Sequence, residues 1–163
     1  MDLDRIDHAI LRELTGNGRM SHAELSARVG LSPTACARRQ RALEDAGVIV
    51  GYQAVLGLDR LGFSATVIVR ITLDSQAEDA LDAFEKALVA SPSVLRCFLM
   101  SGSDDYIVAV NARSISDFER IHRTELACLP HVARVQSSFA LRTVIDRRVP
   151  PAALRPAASV EAG

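Results

Sequence analysis

Cysteine is scarce in this chain of 163 residues, and its three copies lie far apart. Cys36, Cys97 and Cys128 form no CxxC pair, so the sequence lacks the usual zinc and redox motifs. We expect buried, reduced thiols that pack as small apolar side chains. The four histidines also lack ligand spacing. The sequence therefore predicts neither a metal site nor a bound cofactor.

Patterns typical of catalysis and of membranes are missing as well. The chain has no glycine-rich phosphate loop and no nucleophile elbow, so we do not expect an enzyme. No apolar run reaches the roughly 18–20 residues that a membrane helix needs. Residues 1–5 are acidic and precede no apolar signal segment. We expect a cytoplasmic protein with no membrane partner.

Charge is balanced overall but unevenly distributed. The net charge is −1, and Lys86 is the single lysine beside 18 arginines. Residues 28–41 hold four arginines and no acidic residue. A local charge of +4 is thus hidden in a nearly neutral total, and whole-chain charge does not exclude a nucleic-acid partner.

Three short helices are predicted in the first 46 residues. Apolar residues recur at helical spacing over 4–15, and a capping box at 21–24 opens a second helix. Ser32 caps a third helix with Pro33 in its first turn, and this helix runs to about Ala46. Only a Gly-Leu turn separates the second helix from the third. This spacing is typical of a helix-turn-helix.

The rest of the chain alternates strands and helices. The β-rich stretch 48–56 predicts a small wing or connecting strand. The strands that follow are predicted over 64–73, 94–100, 105–112 and 132–145, with one helix opening at a capping box over 75–78 and another over 115–128. The order βαββαβ indicates a ferredoxin-like sandwich.

The fold class is therefore α+β, with an N-terminal winged helix-turn-helix and a C-terminal ferredoxin-like βαββαβ sandwich. We expect the helix-turn-helix domain and its linker over residues 1–62. The ferredoxin-like domain, for ligand sensing and oligomerisation, is expected over 63–146. The Pro- and Ala-rich residues 147–163 predict a flexible tail.

The third helix has two faces. Its inward stripe holds Cys36, Gln40, Leu43 and Ala46, and its outward face combines small residues near the start with arginines further along. Such a helix suits a major groove, where Arg pairs with guanine or clamps phosphate. The alternative is a solvated Arg face on an ordinary helix. The candidate DNA-contacting residues are Ser32, Pro33, Thr34, Ala35, Arg38, Arg39 and Arg41.

Several motifs resemble those of the Lrp/AsnC (leucine-responsive, feast/famine) regulators. Residues 30–39 and 43–49 are similar to the family's helix-turn-helix signature, and residues 3–11 to its first helix. Residues 101–106 resemble its effector-sensing turn, and 129–132 its last crossover. The resemblance covers residues 2 to about 145.

This resemblance implies a DNA-binding domain followed by a regulatory domain that dimerises through its sheets. It also implies dimers that assemble into tetramers or octamers and bind amino acids between dimers. Two positions depart from the family pattern. Gln40 stands where the family usually has an apolar residue, and Ser103 and Asp104 stand where the turn usually has Asp followed by an aromatic or other residue.

The turn itself could hold a zwitterion. Gly102 permits unusual backbone angles and close approach, Asp105 could hold an ammonium group, and amides near Ser103 could take a carboxylate. The alternative is an ordinary hairpin turn, because Gly, Ser and Asp are turn formers. The candidate effector-binding residues are Met100, Gly102, Ser103, Asp104, Asp105, Tyr106, Gln136, Ser137 and Ser138.

The sequence thus predicts a regulator of transcription that binds double-stranded DNA as a homo-oligomer and senses a small molecule, in particular an amino acid. The alternative is a ligand-binding or enzymatic αβ domain whose helical N-terminus only mediates assembly.

Overall fold

The structure is a computed structural model and describes residues 2–156. The helices are α1 (Arg5–Gly16), α2 (His22–Val29), α3 (Pro33–Asp45), α4 (Glu78–Val89) and α5 (Ile115–Ile121). The strands are β1 (Ala65–Leu73), β2 (Val94–Leu99), β3 (Tyr106–Ala112) and β4 (Val132–Phe139). None of the helices within residues 2–156 is both long and apolar enough to cross a membrane.

The chain divides into two compact units. The first, here called the helical unit, contains residues 2–55 and 145–156 of the described chain, and the second, here called the sheet unit, contains Leu56–Val144. The N-terminal helices and the C-terminal segment therefore belong to one unit, although they are far apart in sequence.

The helices of the first unit begin at side-chain caps that the sequence supplies locally. Asp4 and Asp7 form a capping box on α1, and Ser21 and Glu24 form one on α2. The Ser32 Oγ accepts a hydrogen bond from an amide in the first turn of α3. Each cap satisfies amides that a helix start would otherwise leave without partners.

A small apolar core joins these three helices. Its buried members are Ile10, Leu14, Leu25, Cys36 and Leu43. The predicted inward stripe of α3 is thus confirmed for two of its four residues. Gln40 is only half-buried, and Ala46 is exposed at the end of the helix.

The segment after α3 carries no strand within the described residues. Residues 48–55 are without regular structure, and the side chains of Val50 and Val55 are 95% and 92% exposed. The strand predicted over 48–56 is therefore wrong here. A β-rich composition does not make a strand unless a neighbouring strand supplies its hydrogen bonds.

The second unit is a four-stranded antiparallel sheet in the order β2-β3-β1-β4. The helices α4 and α5 connect β1 to β2 and β3 to β4, which gives the predicted βαββαβ topology. Alternate residues of β1 and β3 point into a core that includes Phe84, Phe118 and Leu126. The apolar faces of two helices and one side of the sheet are thus buried together.

Several boundaries differ from the predicted ones. The capping box predicted at 75–78 is wrong, because α4 begins after Ala77 without a side-chain cap. The helix predicted over 115–128 changes after Ile121 to a π-helical turn, His122–Leu126. The last strand ends at Phe139.

The C-terminal segment also differs from the predicted flexible tail over its first part. A 3-10 helix, Pro151–Leu154, contacts α1. The Arg12 Nη2 donates a hydrogen bond to the carbonyl oxygen of Leu154 at 3.2 Å. Residues 157–163 lie outside the described residues.

Candidate DNA-binding and effector-binding sites

The outward face of α3 presents two arginines to solvent. Arg38 and Arg41 are exposed, and neither forms an ion pair with any residue that the structure describes. At the start of the helix Ser32, Pro33 and Thr34 are exposed, and Ala35 is half-buried. The face thus combines small residues at its start with free guanidinium groups along its length, as a major-groove helix requires.

Arg39 has a different position from its two neighbours. Its Nη1 donates hydrogen bonds to Asp4 Oδ2 and to Asp7 Oδ1, both at 2.8 Å. These two bonds raise the pKa of Arg39 above its ordinary value, and the bond to Asp7 contributes most. Arg39 thus bridges α3 to the start of α1, and its predicted contact with DNA stays a prediction.

A polar network also fixes the end of α3. Tyr52 donates a hydrogen bond to Glu44 Oε1 at 2.7 Å, and Gln40 Nε2 donates to the Tyr52 hydroxyl at 2.8 Å. Burial, followed by the bond to Glu44, raises the pKa of Tyr52 to about 12. Gln40 thus holds the segment after α3 instead of adding to the apolar core.

The turn between β2 and β3 leaves its tip in solvent. The Met100 amide donates a hydrogen bond to the Asp105 carbonyl oxygen at 2.8 Å and closes the turn. Gly102 and Ser103 are exposed, and Gly102 has a φ of 139°. A Cβ at Gly102 would meet no atom within 4 Å. A side chain there would be strained by the backbone angle and would not be blocked by neighbours.

Two predicted effector residues point into the fold. Asp105 is buried, and its two carboxylate oxygens accept hydrogen bonds from the Leu73 amide at 2.7 Å and from Gln76 Nε2 at 2.8 Å. Tyr106 is in the core, where its hydroxyl donates to Glu85 at 2.8 Å. The predicted ammonium contact of Asp105 is therefore not supported, because protein donors already occupy both oxygens.

Asp104 is better placed for such a contact. Its side chain is 17% exposed, and one carboxylate oxygen lies 3.8 Å from Arg134 Nη2 on β4. Both charges are next to the exposed turn. The sequence carries no signal for Arg134 as a candidate, because nothing near it indicates that this part of β4 lies beside Asp104.

The polar residues predicted on β4 do not all lie near this pair. Gln136 pairs with Arg70, and Ser138 with Ile68, so both share the face of Arg134. Ser137 pairs with Val69 and lies on the opposite face. Since strand residues rise about 3.3 Å each, Ser138 is roughly 13 Å along the strand from Arg134. Of the three, only Gln136 lies both on the face of Arg134 and within two residues of it.

The cysteines are free but not uniformly buried. Cys36 is buried, Cys97 is intermediate, and Cys128 is exposed, which corrects the prediction for Cys128. Burial is the main cause that raises the pKa of Cys97 to about 11. Among residues 2–156, no three or more His, Cys, Asp or Glu side chains are grouped as metal ligands.

Both units match known protein families. Residues 66–150 match the profile described as the Lrp/AsnC ligand binding domain. Residues 3–50 match the profile described as a winged helix-turn-helix DNA-binding domain. The match over 3–50 favours DNA binding over the alternative in which the N-terminal helices only mediate assembly.

Relatives along the whole chain agree with these matches. The Bkd operon transcriptional regulator of Pseudomonas aeruginosa is 41% identical over 150 residues, which cover 92% of this chain and 98% of that protein. The leucine-responsive regulatory protein of Escherichia coli is 43% identical over 131 residues, 80% of each chain.

A solved structure shows the same fold. It is a transcriptional regulator from Neisseria meningitidis in complex with L-methionine, with a TM-score of 0.88 and 33% sequence identity. The match covers 94% of this chain and 99% of that chain. With a DNA-binding unit, a ligand-binding unit and relatives of matching length, the chain belongs to the Lrp/AsnC family of transcriptional regulators.

Proposed function

We propose that α3 enters the major groove of double-stranded DNA and that Arg38 and Arg41 contact base edges or phosphates. The observation that carries this proposal is that neighbouring arginines of α3 have different environments. Arg39 is held by the carboxylates of Asp4 and Asp7 at the start of α1, whereas Arg38 and Arg41 are exposed to solvent. The bridge fixes the orientation of the helix, and its outer face is left for the DNA.

We also propose that the protein is a homodimer that assembles further into a tetramer or octamer. The sheet face opposite the helices supports this assembly, since Ile68 and Phe98 on it are 37% and 53% exposed. Two recognition helices related by a two-fold axis favour a pseudo-palindromic site with half-sites about one DNA turn apart or a multiple of it. We also propose a cytoplasmic location, because DNA is the partner that the protein has to reach.

The ligand that we propose is an amino acid, bound at the turn around Gly102. The structure of the Neisseria relative contains L-methionine. In this chain Asp104 would hold the ammonium group, and the turn amides and Arg134 would hold the carboxylate. Ligand binding would shift the assembly between DNA-binding arrangements by no more than its differential affinity for them.

DNA binding is tested with Arg38→Ala and Arg41→Ala, and with Arg60→Ala as the control. Arg60 has a side chain that is 91% exposed and lies outside the helical unit. On a site selected from random DNA, each α3 variant should lose about 1–3 kcal/mol if its arginine reads a base. Losses that are equal on all sequences would indicate phosphate contacts. Unchanged affinity in both variants would refute the assignment of α3 as the recognition helix.

Ligand binding is tested by calorimetry with L-methionine and then with the other amino acids at millimolar concentration. Asp104→Asn should weaken binding of the amino acid that gives heat. Asp82→Asn, on the exposed surface of α4, should leave it unchanged. No heat and no change in oligomer size with any amino acid would refute the sensor and leave DNA binding intact.

A further inference from the structure

The polypeptide connects the two units twice. It leaves the helical unit after Val55, forms the sheet unit, and returns to the helical unit at Ile145. The return comes six residues after the end of β4 at Phe139. Residues 145–156, here called the C-terminal strap, are therefore part of the unit that carries α3.

One end of the strap docks on α1. The Leu154 carbonyl oxygen accepts a hydrogen bond from Arg12, and the Leu154 side chain is half-buried. Pro156 lines a cleft of about 370 Å³ together with Ile6 and Ala9 of α1 and Val29 of α2. The strap thus satisfies a guanidinium group on α1 and half-buries the side chain of Leu154.

The other end of the strap reaches the segment that follows α3. The Arg148 guanidinium donates a hydrogen bond to Gln53 Oε1. Gln53 is adjacent to Tyr52, whose hydroxyl bonds to Glu44 of α3. The strap is therefore attached at both the first helix and the exit of the recognition helix.

We propose that the C-terminal strap is a second tether of the DNA-binding unit that restricts its movement and raises affinity for paired half-sites. This inference rests on the proposed function, since it requires two DNA-binding units in one assembly. When the first unit binds, the second binds at an effective concentration that its tethers determine. A unit held by one flexible connection samples a larger volume and has a lower effective concentration.

The charge of the strap suggests a competing role that the experiment must separate. Residues 1–55 hold seven arginines and seven acidic residues, whereas the strap holds three arginines and one acidic residue. A direct phosphate contact by the strap would weaken every DNA complex alike when it is lost. A tether affects only sites where two units bind together.

Docking is measured first, by limited trypsin digestion of the full chain. The variants are Arg12→Ala and Leu154→Ser, and Ala153→Ser on the exposed side of the same 3-10 helix is the control. Cleavage after Arg148 is normalised to cleavage after the exposed Arg60. We expect this ratio to rise several-fold in both docking variants and to stay constant in the control, because an undocked segment is cut faster. An unchanged ratio would overturn the docked strap.

DNA affinity is then measured with two duplexes, one with a single half-site and one with the pair. Undocking should lower affinity for the pair by about three- to tenfold and leave the single half-site unchanged. An equal loss on both duplexes would replace the tether by a phosphate contact, and no loss on either would overturn its role. A wild-type protein that binds neither duplex would refute the proposed function and the tether together, while the digestion ratio still decides the docking.

Discussion

The two units are stabilised in different ways. In the described residues, the helical unit has five buried apolar side chains in its core, whereas the sheet unit has thirteen. The helical unit compensates with polar contacts at its surface, notably the caps of α1 and α2 and the Arg39 bridge. A small core supplies less hydrophobic free energy, so more of the stability depends on charge and hydrogen bonding.

This difference suits a regulator whose small unit must present its face to a polyanion. The exposed arginines of α3 cannot take part in a core, and the bridge from Arg39 orients them without burying them. The sheet unit, by contrast, has a large core and matches a ligand-binding domain. The two units should therefore respond to different perturbations.

The largest effect is expected from removing a core ring of the sheet unit. Phe84 is fully buried and its ring centroid lies 4.5 Å from that of Tyr106. Phe84→Ala should lower the free energy of unfolding of this unit by about 3–5 kcal/mol, through lost burial and the cavity left behind. Denaturant unfolding monitored by circular dichroism measures it. A loss below 1 kcal/mol would contradict the assignment of this core.

Loss of a buried hydrogen bond should also lower the free energy of unfolding of the sheet unit. Asp105→Ala leaves the buried Leu73 amide without an acceptor and should cost about 1–3 kcal/mol. Asp104→Ala, at the adjacent and more exposed position, is the control and should stay within about 0.5 kcal/mol. If Asp105→Ala instead kept full stability and lost only ligand binding, the original ammonium-holding role of Asp105 would be restored.

Within the helical unit, substitutions at Arg38 and Arg39 separate a contribution to stability from a contribution to DNA binding. Arg39→Ala removes the partner of the buried Asp7 and should cost near the lower end of about 1–3 kcal/mol, because water can reach the gap. Arg38→Ala should change stability by less than about 0.5 kcal/mol but reduce DNA affinity. Thermal unfolding measures the stability of the two variants, and DNA titration measures their affinity for DNA. The reverse pattern would exchange the two roles.

The smallest change in stability is expected when the pH is lowered. Hydrogen bonds lower the pKa of Asp4, Glu24 and Glu44 in the helical unit, from the Asp7 amide, Ser21 and Tyr52 respectively. Their contribution is present above the ordinary carboxyl values of 3.8 and 4.5 and is lost as pH falls through the lowered ones.

In the sheet unit, the hydrogen bond from the Arg113 amide lowers the pKa of Asp117. Since these carboxylates are exposed, the helical unit should lose modest stability first as pH falls from 5 to 3. Amide exchange in α1 and β1 over this range would measure the order. Earlier loss of protection in β1 would argue against it.

Much of this architecture follows from local patterns in the sequence. The capping box at 21–24, the caps at Ser32 and the spacing of apolar residues correctly place α2, α3 and the four strands of the sheet. These signals depend on residues that are two to four positions apart, so they can be recognised without knowing the fold. The outward position of Arg38 and Arg41 follows from the same periodicity.

Local patterns do not predict the contacts of a residue that could occupy either of two environments. The periodicity of α3 does not distinguish Arg39 from Arg38 as a DNA contact, and turn composition does not separate Asp104 from Asp105. The capping box predicted at 75–78 also fails: the Ser75 Oγ accepts a hydrogen bond from the Ala77 amide, and α4 begins at Glu78, two residues later than the box requires.

The sequence by itself determined the five α-helices and four strands to within a few residues at most of their ends, the family, and the outward position of Arg38 and Arg41 on α3. Only the tertiary structure decided that Arg39 braces α1, that Asp105 holds the end of β1, and that the C-terminal strap returns to the helical unit. The bonds that decide these points join residues 32, 32 and 142 positions apart. Such pairs are set by which elements pack together, and packing depends on the burial of apolar surface over the whole unit.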